Sequence, residues 1–273
     1  MGCAFAALIV LAAIASSTAV SLIARSPHRA LAIAAVTAAI AAAIVAVFSV
    51  AIRRTARVFR EQERQRRQLL ADVAHELRTP LAILQGRLEG LLDGVYARDD
   101  ARLSELLEET RHLSRLVEDL RTIANAEAGA LDLRKELVDV AELVRETADS
   151  FDRPITVEIE GALPAVKVDP VRIREVLLNL LSNADRHTPK DGAITIRAQA
   201  GAKGVVIRVI DTGAGIPESE LPGVFERFHK GAGSRGSGLG LAIARDLARA
   251  HGGDVILESA VGRGTTVTVS LPA

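Results

Sequence analysis

Val73-Ala74-His75-Glu76-Leu77-Arg78-Thr79-Pro80-Leu81 is the stretch on which the reading of this chain turns. From Leu70 onward the apolar residues Val73, Leu77, Leu81, Leu84, Leu88 and Leu91 recur at spacings of three and four, the pattern of a helix that buries one stripe. His75 lies two residues from Val73 and two from Leu77, so at about 100° per residue it points away from that stripe. A lone histidine is by default a satisfied core residue. This one is expected to face water, where a largely neutral imidazole can act as a nucleophile.

Working outward, a second stripe follows a breaker region at 94–100: Leu103, Leu106, Thr110, Leu113, Val117 and Leu120. The two stripes predict an antiparallel helical hairpin over 69–126. Two helices cannot enclose a core, so the expectation is a homodimer forming a four-helix bundle.

Upstream, charge is sharply segregated although the net charge is zero. Residues 1–52 carry only Arg25 and Arg29, whereas Arg53 to Arg67 contains seven arginines. We read residues 53–68 as a basic cytoplasmic linker helix marking a boundary, with no direct nucleic-acid partner. Ala4–Ala24 and Ala30–Ile52 lack charged side chains, and each reaches the ~20 residues that cross a bilayer. A transmembrane helical hairpin is therefore expected over 4–52, with spans 4–24 and 30–52. A signal peptide is the competing reading of the first span, but no basic n-region precedes it. A buried core helix is the alternative for either alanine-rich span. The arginine block places both termini of this multi-pass membrane protein in the cytoplasm. Only Arg25–Arg29 would then face outside, which leaves no room for an external ligand domain and points to sensing within the bilayer or through a membrane-protein partner. Ser16, Ser17, Thr18 and Ser21 offer small polar contacts for such a partner or for the other span. The single cysteine, Cys3, excludes an internal disulfide and a cysteine metal cluster.

Beyond Gly129 the pattern changes. Strand-like runs at 155–159, 193–197, 205–210, 254–257 and 265–269 alternate with helical stretches near 140–150, 170–185 and 239–251. This predicts an α/β sandwich over 131–273.

Several residues in that region can carry chemistry. Asn179 and Asn183 stand at i and i+4 of one helix, where amide oxygens suit a hard cation such as Mg²⁺, though each is equally explained as a surface or capping amide. Asp211 ends a strand before Gly213 and Gly215, a turn common in itself, in which a carboxylate can accept from an amino group while glycine admits close approach. Gly236, Gly238 and Gly240 open a helix whose N–H groups can meet phosphates; a glycine run of this kind also serves as a linker. On the hairpin, Glu76 can take a proton from the His75 ring and Thr79 shares its face. Pro80 removes one backbone bond beside the nucleophile.

Ala74–Leu81 resembles the phosphoacceptor box of bacterial two-component sensor histidine kinases, and four further boxes follow in the family's order. These are Asn179–Asn183 with Arg186 and His187, Asp211–Gly215, Phe225–Phe228, and Gly236–Gly240 with Gly262–Thr266 completing the set. The resemblance covers about Leu69 to Ala273. It implies a dimerisation and phosphotransfer hairpin followed by a Bergerat-type (GHKL) ATP-binding fold, using ATP and Mg²⁺. It implies His75 as phosphoacceptor, Glu76 and Thr79 as its assistants, and Asn179, Asn183, Arg186, Asp211, Gly213, Gly215, Gly236, Gly238, Gly240 and Thr265 around the nucleotide, the two asparagines holding the metal. Residues 231–237 read as a nucleotide lid. The implied partner is a cognate response regulator, which such an enzyme also dephosphorylates. The alternatives are a nucleotide-binding scaffold without catalysis and a GHKL-type ATPase. Asn179 argues against the ATPase, because those relatives place a glutamate there and an amide cannot take a proton. His28, His112, His229 and His251 are expected to be ordinary solvated histidines.

Overall fold

The computed structural model describes Ile14, Thr18 and residues 27–97, 99–231 and 236–273. Cys3, the expected span 4–24 apart from Ile14 and Thr18 but including Ser16, Ser17 and Ser21, Arg25 and residues 232–235 of the expected lid lie outside the described residues. The chain divides into two units, one up to Ala71 and one from Asp72 onward.

In the first unit, helix α1 (Pro27–Leu92) contains the window Ala38–Ala56, with a mean hydropathy of 1.7 and only 6% of it buried. Ile40, Val47, Phe48 and Val50 are exposed. A helix that is apolar on its outside, over enough residues to cross a bilayer, suits lipid better than water. The window overlaps the expected span at 30–52 and is the one such helix among the described residues.

The second unit opens with the end of α1, which continues through Pro80 to Leu92, and with α2 (Asp100–Glu127). Helix α2 starts where the Asp99 carboxylate accepts the Arg102 N–H at 2.8 Å, a side-chain cap on an otherwise unpaired donor. Leu91 and Leu106 are buried where the hairpin turns. Further along α2, Leu116 and Ile123 are 2% and 1% exposed and join the core of the following domain, with Leu77 and Leu120 packed against it. Leu81, Leu88, Leu103, Leu107 and Val117 stay exposed in the single chain.

After Gly129 (φ +60) comes a two-layer α/β sandwich. A five-stranded sheet has the order β2-β4-β5-β7-β6 (Thr156–Glu160, Ile194–Gly201, Gly204–Asp211, Gly264–Pro272, Asp254–Ala260). Strand β2 runs parallel to β4 and the other neighbours are antiparallel. Strict alternation along β4, β5 and β7 puts Ile194, Ile196, Val205, Ile207, Val267 and Val269 on one face, which α3 (Val140–Asp149), α4 (Pro170–His187) and α5 (Gly240–Ala250) cover. Two short strands, β1 (Glu136–Val138) and β3 (Val166–Val168), pair antiparallel beside this sheet. At three residues each they are too short to show a period.

Helix α4 carries the site, and its start is firmly set. Asp169 accepts from Val171 and Arg172 N–H at 3.0 and 3.2 Å with one oxygen and from Arg134 N–H at 2.9 Å with the other. Burial works against this carboxylate, but those backbone donors outweigh it and hold its pKa below the ordinary value. Pro170 follows at the first helical position, where no N–H is needed.

His251 corrects an expectation. It is 4% exposed, not solvated, and ends α5 with Nδ1 at 2.8 Å from the Leu247 carbonyl while Nε2 accepts the Asp169 N–H at 3.1 Å. These partners require the neutral tautomer with the proton on Nδ1. Its pKa is lowered, first by burial and further by Lys135, against the opposing pull of Leu247 and Asp169. The unfolded chain therefore takes the proton more readily. The stabilisation is full above the ordinary histidine value of about 6.5 and is lost as pH falls below it. We expect thermal stability of the α/β domain to decline between pH 7 and pH 5. His251→Leu should destabilise it by roughly 1–3 kcal/mol at pH 7 through the orphaned Asp169 N–H and Leu247 carbonyl. Melts of both proteins across that pH range check this, since the variant should show the shallower pH dependence.

Candidate nucleotide site

Helix α4 buries Ile173, Val176, Leu177, Leu180, Leu181 and Ala184 against the sheet. Its opposite face, Glu175, Asn179, Asn183 and Arg186, lines a cavity of about 1250 Å³. Both asparagines are half-buried, so they face the cavity instead of serving as surface or capping amides. Asp211, Gly215, Gly236, Gly238, Gly240 and Thr265 border the same space. The structure thus brings together every expected nucleotide-site residue except Gly213.

Gly213 stands behind Asp211. Its N–H donates to Asp211 Oδ1 at 2.8 Å, and Thr265 N–H, opposite Asp211 across the β5–β7 ladder, donates to the same oxygen at 3.2 Å. Both donors fall on Oδ1, which leaves Oδ2 to meet a ligand's N–H group. Burial raises the Asp211 pKa, while Gly213, Thr265 and His187 pull it back. Burial also lowers the pKa of His187, with Arg186 adding to the effect and Asp211 opposing it.

At the other end of the cavity the glycines are needed for space. Gly238 has φ +72, and a Cβ there would lie 2.6 Å from the Phe228 carbonyl carbon. A Cβ on Gly240 would press on Asn179 Oδ1 at 3.3 Å, and one on Gly236 would strike the Arg186 guanidinium. The start of α5 therefore sits directly over the amide face of α4, and its leading N–H groups open beside the cavity.

One wall was not anticipated. His112, Arg115 and Asp119, at spacings of three and four on α2, line the cavity from the hairpin side. Burial, then the charge of Glu175, pushes Asp119 up to about 6, while Arg115 and Ser237 oppose the shift. The docking of Leu116 and Ile123 into the core brings these residues inward. His112 and His229, expected to be free in solvent, both line this cavity.

His75, Glu76 and Thr79 lie outside the cavity lining. His75 and Thr79 are exposed, and Thr79 Oγ1 donates a long 3.5 Å bond to the His75 carbonyl. Among the described residues no group of three His, Cys, Asp or Glu is arranged to hold a metal.

Comparison with known proteins agrees with this division. Residues 65–129 match the His Kinase A (phospho-acceptor) domain, and residues 168–273 match the histidine kinase-, DNA gyrase B- and HSP90-like ATPase family. The signal transduction histidine-protein kinase BaeS of Escherichia coli is 34% identical over 228 residues, a match covering 80% of this chain and 49% of BaeS. The chain thus spans about half the length of that curated relative. Among solved structures, the Acinetobacter baumannii histidine kinase AdeS is 32% identical with a TM-score of 0.63, over 72% of this chain and 97% of that one. The histidine kinase ThkA in complex with the response regulator protein TrrA is 26% identical with a TM-score of 0.61, over 75% of this chain and 61% of that one.

Asp211→Asn tests the cavity directly, because the amide keeps an oxygen for Gly213 and Thr265 and changes only the group left for the ligand. We expect ATP affinity to fall by roughly 10- to 100-fold, as for a lost charge-assisted bond, with an unchanged melting temperature. Nucleotide titration and a thermal melt on the same sample measure both.

Proposed function

The chain belongs to the bacterial two-component sensor histidine kinases, and on that premise we propose that it transfers the γ-phosphoryl group of ATP to His75 and from there to a response regulator. The observation that carries this reading is the pairing, within one unit, of an exposed imidazole on the phosphoacceptor helix with a cavity floored by two amides and an aspartate.

Asp211 Oδ2 suits the adenine amino group, and the glycine loop at 236–240 with Arg186 suits the phosphates. Asn179 and Asn183 fit a Mg²⁺ that arrives with the nucleotide. That ion takes oxygen ligands, keeps several waters and needs only one or two protein groups beside phosphate. Held by those amides, it would offset the charge that develops on the phosphates. The chain's own part is positioning: a His75 ring nitrogen forms the bond to phosphorus as the bond to the ADP oxygen breaks, and Glu76 takes the proton from the other ring nitrogen. Thr79, on the His75 face, suits the orientation of water for dephosphorylating the partner.

Hydrolysis is disfavoured by the groups nearest the amides. Asn179 cannot act as a base, and Glu175, one turn earlier, is engaged by Arg172 at 2.8 Å and by the Thr122 hydroxyl at 3.3 Å. The exposed apolar residues of the hairpin support a homodimer. The apolar window in α1, followed by the arginine block, supports a protein of the plasma membrane with that block in the cytoplasm. The two-span topology with both termini inside, and sensing through the bilayer or a membrane partner, belong to this reading as well.

His75→Gln should abolish labelling by [γ-³²P]ATP and leave ATP affinity unchanged. Asn183→Ala should reduce labelling by about 100-fold, as for loss of one preorganised electrostatic contact, with the hairpin intact by circular dichroism. Labelling that survives His75→Gln would overturn the assignment of the nucleophile.

A further inference from the structure

The residue beside the nucleophile already has a partner. Glu76 Oε2 lies 2.6 Å from Lys230 Nζ, and both side chains are about seven-tenths shielded, with relative exposures of 26% and 30%. The contact joins the phosphoacceptor helix to the α/β domain across 154 residues of sequence. Docked in this way, His75 does not border the nucleotide cavity, so this arrangement is not the one in which phosphorus meets the imidazole.

The backbone that aims Lys230 is itself constrained. Phe228 has φ +60, a left-handed conformation that costs a non-glycine residue energy and persists only where its surroundings enforce it. Gly238, packed against the Phe228 backbone, supplies that enforcement. Past this turn the neighbours diverge. His229 and Gly231 line the nucleotide cavity, while Lys230 between them reaches the hairpin. One short segment therefore borders the cavity on one side and holds Glu76 on the other.

We propose that Lys230 is a positioning residue acting through Glu76: it holds the carboxylate away from His75 until nucleotide in the adjoining cavity shifts this edge and releases it. The ammonium holds Oε2 and ties the Glu76 side chain to the α/β domain, so the pair delays phosphoryl transfer. Leu116 and Ile123, buried in the same docked arrangement, and the Thr122–Glu175 bond hold the hairpin there. The proposal rests on the kinase reading above.

Two measurements on the full chain in nanodiscs test it. Lys230→Ala should raise the maximal rate of His75 phosphorylation by roughly threefold to fivefold, the population change expected from one partly exposed ion pair, with little change in KM for ATP. Lys230→Arg, which keeps the pair, should stay near the parent rate. In a Glu76→Gln background, whose rate is reduced by loss of the proton acceptor, Lys230→Ala should leave the residual rate unchanged, which separates action through Glu76 from general loosening. An unchanged or lower rate for Lys230→Ala, or the same increase in the Glu76→Gln background, overturns the proposal. Independently of activity, a zero-length carbodiimide crosslink should join Glu76 to Lys230 in nucleotide-free protein and diminish with saturating AMPPNP. Absence of that crosslink, or its persistence with AMPPNP, also overturns it. Failure of the unsubstituted chain to phosphorylate His75 would instead count against the kinase reading, and the crosslink would still decide the contact.

Discussion

Helix α4 has to satisfy two surfaces at once, and most of the second unit follows from how it does so. Ile173, Val176, Leu177, Leu180, Leu181 and Ala184 pack on the sheet, so Glu175, Asn179, Asn183 and Arg186 must look the other way. A shift of one residue would turn the helix by about 100°, burying amides and exposing leucines. Asp169 prevents that by fixing the first turn with one carboxylate oxygen and tying it to Arg134 with the other. His251 then receives the Asp169 N–H, so the end of α5 is fastened to the start of α4. Gly240 completes the arrangement from above, where only glycine lets α5 begin over Asn179.

The hairpin divides its apolar surface between two uses. Leu116, Leu120 and Ile123 turn toward the α/β domain, whereas Leu81, Leu88, Leu103, Leu107 and Val117 remain uncovered. The first set places His112, Arg115 and Asp119 against the nucleotide cavity; the second is what a four-helix bundle with another copy would bury. The two sets lie on different faces of the same helices.

Legibility in the sequence followed periodicity and local turn chemistry. The five sheet strands and the helices at 140–150, 170–185 and 239–251 were readable because each buries one face and so repeats at two or near 3.6. The strand pair β1–β3 was not, since three residues carry no period. Asn179 and Asn183 share one face of α4, Asp211 ends β5 and Gly240 opens α5, and they could be placed together because they follow the order of a known family. The hairpin wall and the Glu76–Lys230 pair were hidden, because they depend on how the hairpin packs on the α/β domain, and no local pattern encodes that. His251 was misjudged for the same reason: its partners lie on α4 and in the last turn of α5, and a lone histidine near a helix end looks solvated until both are in place. Gly213, assigned to the nucleotide by its motif, lies outside the cavity lining and gives its N–H to Asp211.

On the kinase reading, an amide-floored cavity favours transfer to histidine over transfer to water. The most direct measurement is a single-turnover balance with ATP held below the protein concentration, counting ADP, inorganic phosphate and phosphohistidine over time. ADP should appear one-for-one with phosphohistidine at His75, with inorganic phosphate following only as the phosphoprotein decays. ADP matched from the outset by inorganic phosphate, with His75 unmodified, would contradict it.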